Sequence, residues 1–104
     1  MTRAKIQSGI CGFSATVEAR MDGRRCVVSV DSDCKAIQEL AEDLREVDPF
    51  QEISFRGKGS HVLEMGAKHC PHTACPVPVG IIKAIEVEAG LALPKDAVIR
   101  LSKE

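Results

Sequence analysis

The chain has 104 residues, a formal net charge of −1, three Phe and no Trp or Tyr. Its basic residues are scattered and no aromatic platform accompanies them, which argues against nucleic-acid binding. No apolar run approaches a membrane span, and an odd count of five cysteines excludes a fully paired disulfide framework within one chain.

A chain of this length fits a single domain, residues 1–104. The first residues, MTRAKIQSGICGF, lack the apolar stretch of a signal peptide. A cytoplasmic location is therefore expected, in which cysteines act as thiols, metal ligands or small buried residues.

The first strong element is a β-hairpin. Phe13, Ala15, Val17 and Ala19 alternate with Ser14, Thr16, Glu18 and Arg20, and Cys26, Val28 and Val30 alternate in the following segment. Between them lies Asp22-Gly23, a strong two-residue turn signal. A turn centred on that pair places Met21 opposite Arg24, Ala19 opposite Cys26, Val17 opposite Val28 and Ala15 opposite Val30. The same register carries Phe13 to Ser32 and Cys11 to Cys34, so two thiols are expected side by side at the open end. Cys26 falls at the other end, roughly 25 Å away at about 3.3 Å per residue.

The segment SDCKAIQELAEDLREVDPF predicts a helix with Ile37, Leu40, Ala41 and Leu44 as its apolar stripe. Ser32 or Asp33 suits its cap, Cys34 falls in its first turn, and Pro49 is expected to stop it. EISFRGKGSH predicts a short strand, Ile53 and Phe55 inward, before a Gly-rich turn. SHVLEMGAKH admits a short helix capped by Ser60 or a strand through Val62 to Met65. PVGIIKAIEVEAG predicts a second clear helix bearing Ile81, Ile82, Ile85 and Ala89 and ending at Gly90. Ala97 to Leu101 alternates as a last strand. The expected fold class is α+β, a two-layer arrangement of a small, mostly antiparallel sheet with two main helices on one face.

Chemistry concentrates on the cysteines. Proline is tolerated in a first helical turn because the N–H groups there have no intrahelical partner. The stretch ACPVP therefore puts Cys75 at the N-cap or first helical position, where the helix dipole and free N–H groups favour a thiolate. Cys34 opens the other helix, and Cys11 is expected beside it. Thiols pooled at element ends suggest a shared metal site of Cys11, Cys34 and Cys75, with Cys70 or His72 as fourth ligand. Thiolate and imidazole suit zinc or an iron–sulfur cluster. No CxxC knuckle is present, however. Cys26, between Arg25 and two valines, reads as a buried small hydrophobe. His61 reads as surface, and His69 as either a helix C-terminal cation or a ligand. No base–nucleophile pair or carboxylate constellation argues for an enzyme.

Cys75, Pro76, Pro78 and Lys83, in CPVPVGIIKAIE, match the Cys-Pro-x-Pro helix start of the TusA/SirA-like sulfur-carrier family, which the chain resembles over about a dozen residues. The resemblance implies a two-layer α/β sandwich and a persulfide carried on Cys75 to a sulfur-transfer or redox partner protein. The motif follows the first strand in that family, whereas here it lies in the last third. The overall string also resembles a small prokaryotic family of uncharacterised proteins. Three functions are compatible with these residues: a cysteine-cluster metal protein, a persulfide carrier using Cys75, and a structural or interaction domain whose cysteines only pack.

Overall fold

In the computed structural model, which describes residues 1–104, an antiparallel sheet runs in the order β1 (Thr2–Gln7), β2 (Ser14–Asp22), β3 (Arg25–Ser32), β4 (Glu46–Val47). Helices α1 (Lys35–Asp43), α2 (Pro49–Glu52), α3 (His61–His69) and α4 (Val77–Glu88) complete the α+β fold. α4 packs on β1 and β2, and α1 on β3, so the helices form the second layer. One contiguous core lies between the layers. It joins Ala15, Val17 and Ala19 of β2 and Cys26 and Val28 of β3 to Ile37, Leu40, Val62, Ile81 and Ile85 of the helices. No helix is long and apolar enough to cross a membrane.

The hairpin forms, but its turn is one residue later than Asp22-Gly23 predicts. Asp22 pairs with Arg25, Met21 with Cys26, Ala19 with Val28 and Val17 with Val30. Gly23 is thus the first of two loop residues, with φ +64. A two-residue turn of the II′ kind needs a glycine there, and Arg24 can then keep a negative φ. Every partner on β3 moves two residues along, so the inward and outward faces survive. The predicted pairing of Cys11 with Cys34 does not survive. β2 begins at Ser14, and Cys11 lies in the β1–β2 loop, unpaired and exposed.

β1 is an addition to the predicted elements. Its inward apolar side chains are only Ala4 and Ile6, between Arg3, Lys5 and Gln7, a weak alternation that acquires meaning once β2 pairs with it. α1 stops at Asp43, short of the predicted end, where the Leu44 N–H donates to the Leu40 carbonyl. The chain then pairs Glu46 and Val47 with β3, which replaces the expected strand around Ile53. Pro49 starts a helix instead of stopping one, and the Asp48 carboxylate accepts from the Phe50 N–H as its cap. Phe55, expected inward, is 90% exposed. Residues 91–104 form no helix or strand, so the expected strand over Ala97 to Leu101 is also absent.

α3 settles the ambiguous segment as a helix. Its N-terminus sits on Glu52, a carboxylate only 3% exposed. Glu52 accepts from Ser60 Oγ at 2.7 Å, the His61 N–H at 3.1 Å and the Val62 N–H at 2.8 Å. Ser60 Oγ in turn accepts from the Leu63 N–H at 3.1 Å. The first-turn donors that a helix leaves unpaired are thereby satisfied inside the protein.

α4 is placed by two glycines that have no room for a side chain. A Cβ on Gly80 would collide with the Ile6 side chain, and a Cβ on Gly66 of α3 would stand 2.9 Å from Pro78 Cγ. At its other end Glu88 accepts from Thr2 Oγ1 at 2.8 Å and from the Met21 N–H at 3.1 Å. α4 therefore runs antiparallel to β1, with its start over Ile6 and its end over Thr2. Gly80→Ala is expected to destabilise the fold by about 1–3 kcal/mol through overpacking. Ile6→Ala in the same chain should recover part of that loss in a double-mutant cycle read by chemical denaturation.

Candidate functional site

Three cysteines, Cys34, Cys70 and Cys75, are half-buried and pack against the edge of the core. Each sits at a helix end. Cys34 is the N-cap of α1 and makes no side-chain capping bond, while its N–H donates to Ser32 Oγ at 3.1 Å. Neither Ser32 nor Asp33, the residues expected to cap α1, is the N-cap; Ser32 instead holds the backbone N–H of the cap residue Cys34. Cys70 is the C-cap of α3, its N–H donating to the Gly66 carbonyl at 2.8 Å. Cys75 lies one residue before the N-cap of α4, which is Pro76, so it stands just outside the predicted N-cap or first helical position. Its N–H donates to the His72 carbonyl at 3.3 Å and closes a turn in the α3–α4 connection.

The proline spacing explains this geometry. Pro78 occupies the first turn of α4, where a missing N–H costs no helical bond, and it also fills the notch above Gly66. Gly66 is one helical turn before Cys70, and Pro78 is three residues after Cys75. Their contact therefore brings the end of α3 and the start of α4 together, and the two cysteines with them.

The electrostatics carry the same neighbourhood. Burial first, then the adjacent Cys75 sulfur, then Cys34, push the Cys70 thiol from 9.0 up to about 11. Cys70 is thus a protonated thiol at neutral pH, next to Cys75 and within electrostatic reach of Cys34. The α3 end that carries it is tied to α1. His69 Nε2 lies 2.7 Å from Asp43 Oδ2, and Lys68 Nζ lies 3.3 Å from the same oxygen. The His69 and Lys68 hydrogen bonds hold the Asp43 carboxyl below its ordinary value. His69 thus stands in the last turn of α3 with its ring engaged by Asp43 of α1.

The other predicted residues are placed differently. Cys11 is exposed in the loop that joins β1 to β2, between Gly9 and Gly12, both at positive φ. His72 is exposed in the α3–α4 connection along with Pro71, Thr73 and Ala74. Cys26 is fully buried in the core, where burial first and the Glu88 charge second push its thiol up, as a small hydrophobe requires. No group of three or more His, Cys, Asp or Glu side chains stands ready to hold a metal ion.

Sequence reasoning offered Cys70 and His72 as alternatives, and the fold puts Cys70 beside Cys75. Gly66, which counts against a helix in a propensity reading, was the available signal, since a helical glycine often marks a close approach. The buried Glu52 had no comparable signal, being one acid among many in a charged stretch.

The sequence pattern of a family of unknown function, DUF6951, matches residues 2–101, so the chain belongs to that family. No curated protein and no solved structure matches it. The family assignment agrees with the expected uncharacterised family and lends no support to kinship with the TusA/SirA-like carriers.

Alkylation at pH 8, followed by mass spectrometry, should label the exposed Cys11 first and the buried Cys26 last. Labelling of Cys70 should rise towards a pH of about 11. The same shift has a stability consequence. Folding raises this thiol above 9.0, so its contribution is complete below that pH and declines as pH climbs towards about 11. Denaturation midpoints should fall across that interval, and less so in Cys70→Ala.

Proposed function

We propose that this member of DUF6951 is a cysteine-cluster metal protein, whose ligands are Cys34, Cys70, Cys75 and, from the β1–β2 loop, Cys11. The observation that carries the reading is topological. Gly80 of α4 lies against Ile6, the penultimate residue of β1, and the loop bearing Cys11 leaves β1 one residue later. Cys75 precedes α4 at that same end, with Cys70 beside it. Cys34 follows β3 where Ser32 pairs with Ala15, also at that end of the sheet. Four of the five thiols thus belong to one edge of the molecule, and Cys26 alone is committed to the core.

Thiolate sulfur favours zinc or an iron–sulfur cluster over hard cations. The three core-edge thiols would supply a partly dry, fixed side, and the Cys11 loop would swing in to close it. Coordination requires thiolates, so Cys70 must give up its proton, and metal affinity should rise with pH. His72 is an alternative fourth donor from the exposed connection.

A second reading uses the same residues without metal. The closeness of Cys70 to Cys75 favours it. In it, the Cys75 thiolate attacks the outer sulfur of a persulfide donor, the donor thiolate leaves, and Cys75 holds the sulfur for a partner protein. It predicts a one-sulfur mass adduct that is lost in Cys75→Ser.

Anaerobically purified protein should contain stoichiometric zinc, or iron with sulfide, by elemental analysis. Serine at position 34, 70 or 75 should reduce the metal content severely, and serine at position 11 should weaken retention against chelator. Cys26→Ala should leave the metal content intact and cost only about 1–3 kcal/mol of stability. His72→Ala separates the two candidate fourth donors. Metal-free, folded protein whose denaturation midpoint is unchanged by chelator or by added metal would overturn the assignment.

A further inference from the structure

The last residues of the chain present an apolar surface that nothing in the protein covers. Leu93 is 85% exposed, Val98 68%, Ile99 80% and Leu101 91%. In a strand Ala97, Ile99 and Leu101 would share one wholly apolar side, with Val98 and Arg100 on the other, yet the segment pairs with no strand. Large apolar side chains left open along one segment of a small protein mark it as an interaction element.

The sheet offers the complementary element. β1 is an edge strand of six residues that pairs only with β2. Its outer backbone N–H and C=O groups are a template for another strand. The opposite edge, β4, has only two residues and offers no such length. Ala4 and Ile6 of β1 are partly buried against the helix layer. Val79, beside the Gly80 that contacts Ile6, is 52% exposed. The apolar surface next to the open edge is therefore incomplete, and a strand with one apolar side would extend it.

We propose that the segment Ala97–Leu101 of a second copy of this chain adds as a fifth strand on the free edge of β1, reciprocally, forming a two-fold dimer. The tail leaves α4 through Gly90, whose φ of +76 turns the chain away at the end of the molecule marked by the contact between Glu88 and Thr2. It extends outward, and the longest dimension reaches 46 Å against 27 and 26 Å for the others. Each chain thus carries one unpaired edge and one unpaired apolar segment of nearly the same length. Reciprocal exchange satisfies both on both chains and leaves no further copy to recruit, as closed two-fold symmetry requires. Main-chain hydrogen bonds would supply affinity, and Ile99 and Leu101 beside Ala4 and Ile6 would supply specificity.

Sedimentation equilibrium of the full chain over a range of concentrations tests the proposal, with backbone hydrogen exchange of the tail measured alongside. A dimer with protected amides in the 97–101 region is expected. Ile99→Asp combined with Leu101→Asp should weaken self-association by about tenfold or more. These residues contact no core, so the variant should keep its circular dichroism. A monomer with a protected tail would mean that the tail pairs with β1 of its own chain. A monomer with an unprotected tail would mean that the edge stays open. A dimer indifferent to both substitutions would mean another interface. Each of these three results overturns the proposal.

Discussion

The contact between Gly66 and Pro78 is the constraint on which the arrangement of the thiols depends. A helix of nine residues that ends at His69 and a helix of twelve that starts at Val77 can meet at many angles and offsets. Removing a side chain at one position and placing a rigid ring opposite it leaves one close approach. A Cβ at position 66 would fall within 2.9 Å of the ring, so the backbone of α3 lies nearer to α4 than any other residue would allow. The connection between the helices is short, and its two cysteines flank it. Helix packing therefore sets the distance between Cys70 and Cys75, and the loop inherits it.

That contact would slide if α3 were loose. α3 is instead held at both ends by carboxylates from other elements. Glu52 satisfies the donors of its first turn from inside the protein, and Asp43 gathers His69 and Lys68 at its last. The two anchors differ in kind. Glu52 is almost fully enclosed and binds through three hydrogen bonds to N–H and O–H donors, so its removal would leave unpaired donors behind in a dry setting. Asp43 is half exposed, and solvent screens its attraction for its partners. Glu52 accordingly fixes the position of α3, and Asp43 mainly sets the direction in which its Cys70 end points.

Much of the fold was readable from the sequence, and the failures share a cause. The hairpin, the apolar stripe of α1 and the long α4 announce themselves because each buries its own periodic face. The turn was misplaced because Asp-Gly is a signal for one turn type, while Gly23 is equally suited to open another. β1 is not legible because the apolar residues of its inward side are only Ala4 and Ile6, too little contrast to register without β2 beside it. Pro49 ends one element and begins another with the same chemistry, and only the tertiary pairing of Glu46 and Val47 with β3 decides between them. At the site, the sequence places Cys34 and Cys75 at helix starts and Cys70 in a connecting loop; Cys34 caps α1, Cys75 stands just before α4, and Cys70 closes α3, a position that depended on the ambiguous segment becoming a helix. The expected pairing of Cys11 with Cys34 fails, because a hairpin register extrapolated past the end of a strand carries no information.

The origin of the proposed ligands has a physical consequence of its own. In a CxxC knuckle, two ligands are near neighbours in the chain, and binding them orders little besides the loop. Cys11, Cys34, Cys70 and Cys75 instead come from a strand connection, the start of α1, the end of α3 and the approach to α4. A metal held by such a set closes several long loops at once, and the entropy of the unfolded chain that it removes grows with loop length. Three of the four donors are already brought to one edge by packing, so the cost of assembling them is borne mainly by the core. The fourth waits on a loop whose two glycines adopt positive φ with open space around them. In the proposed metal protein such an arrangement would separate two tasks: the fold would position three of the thiols, and the Cys11 loop would close the site over what they hold.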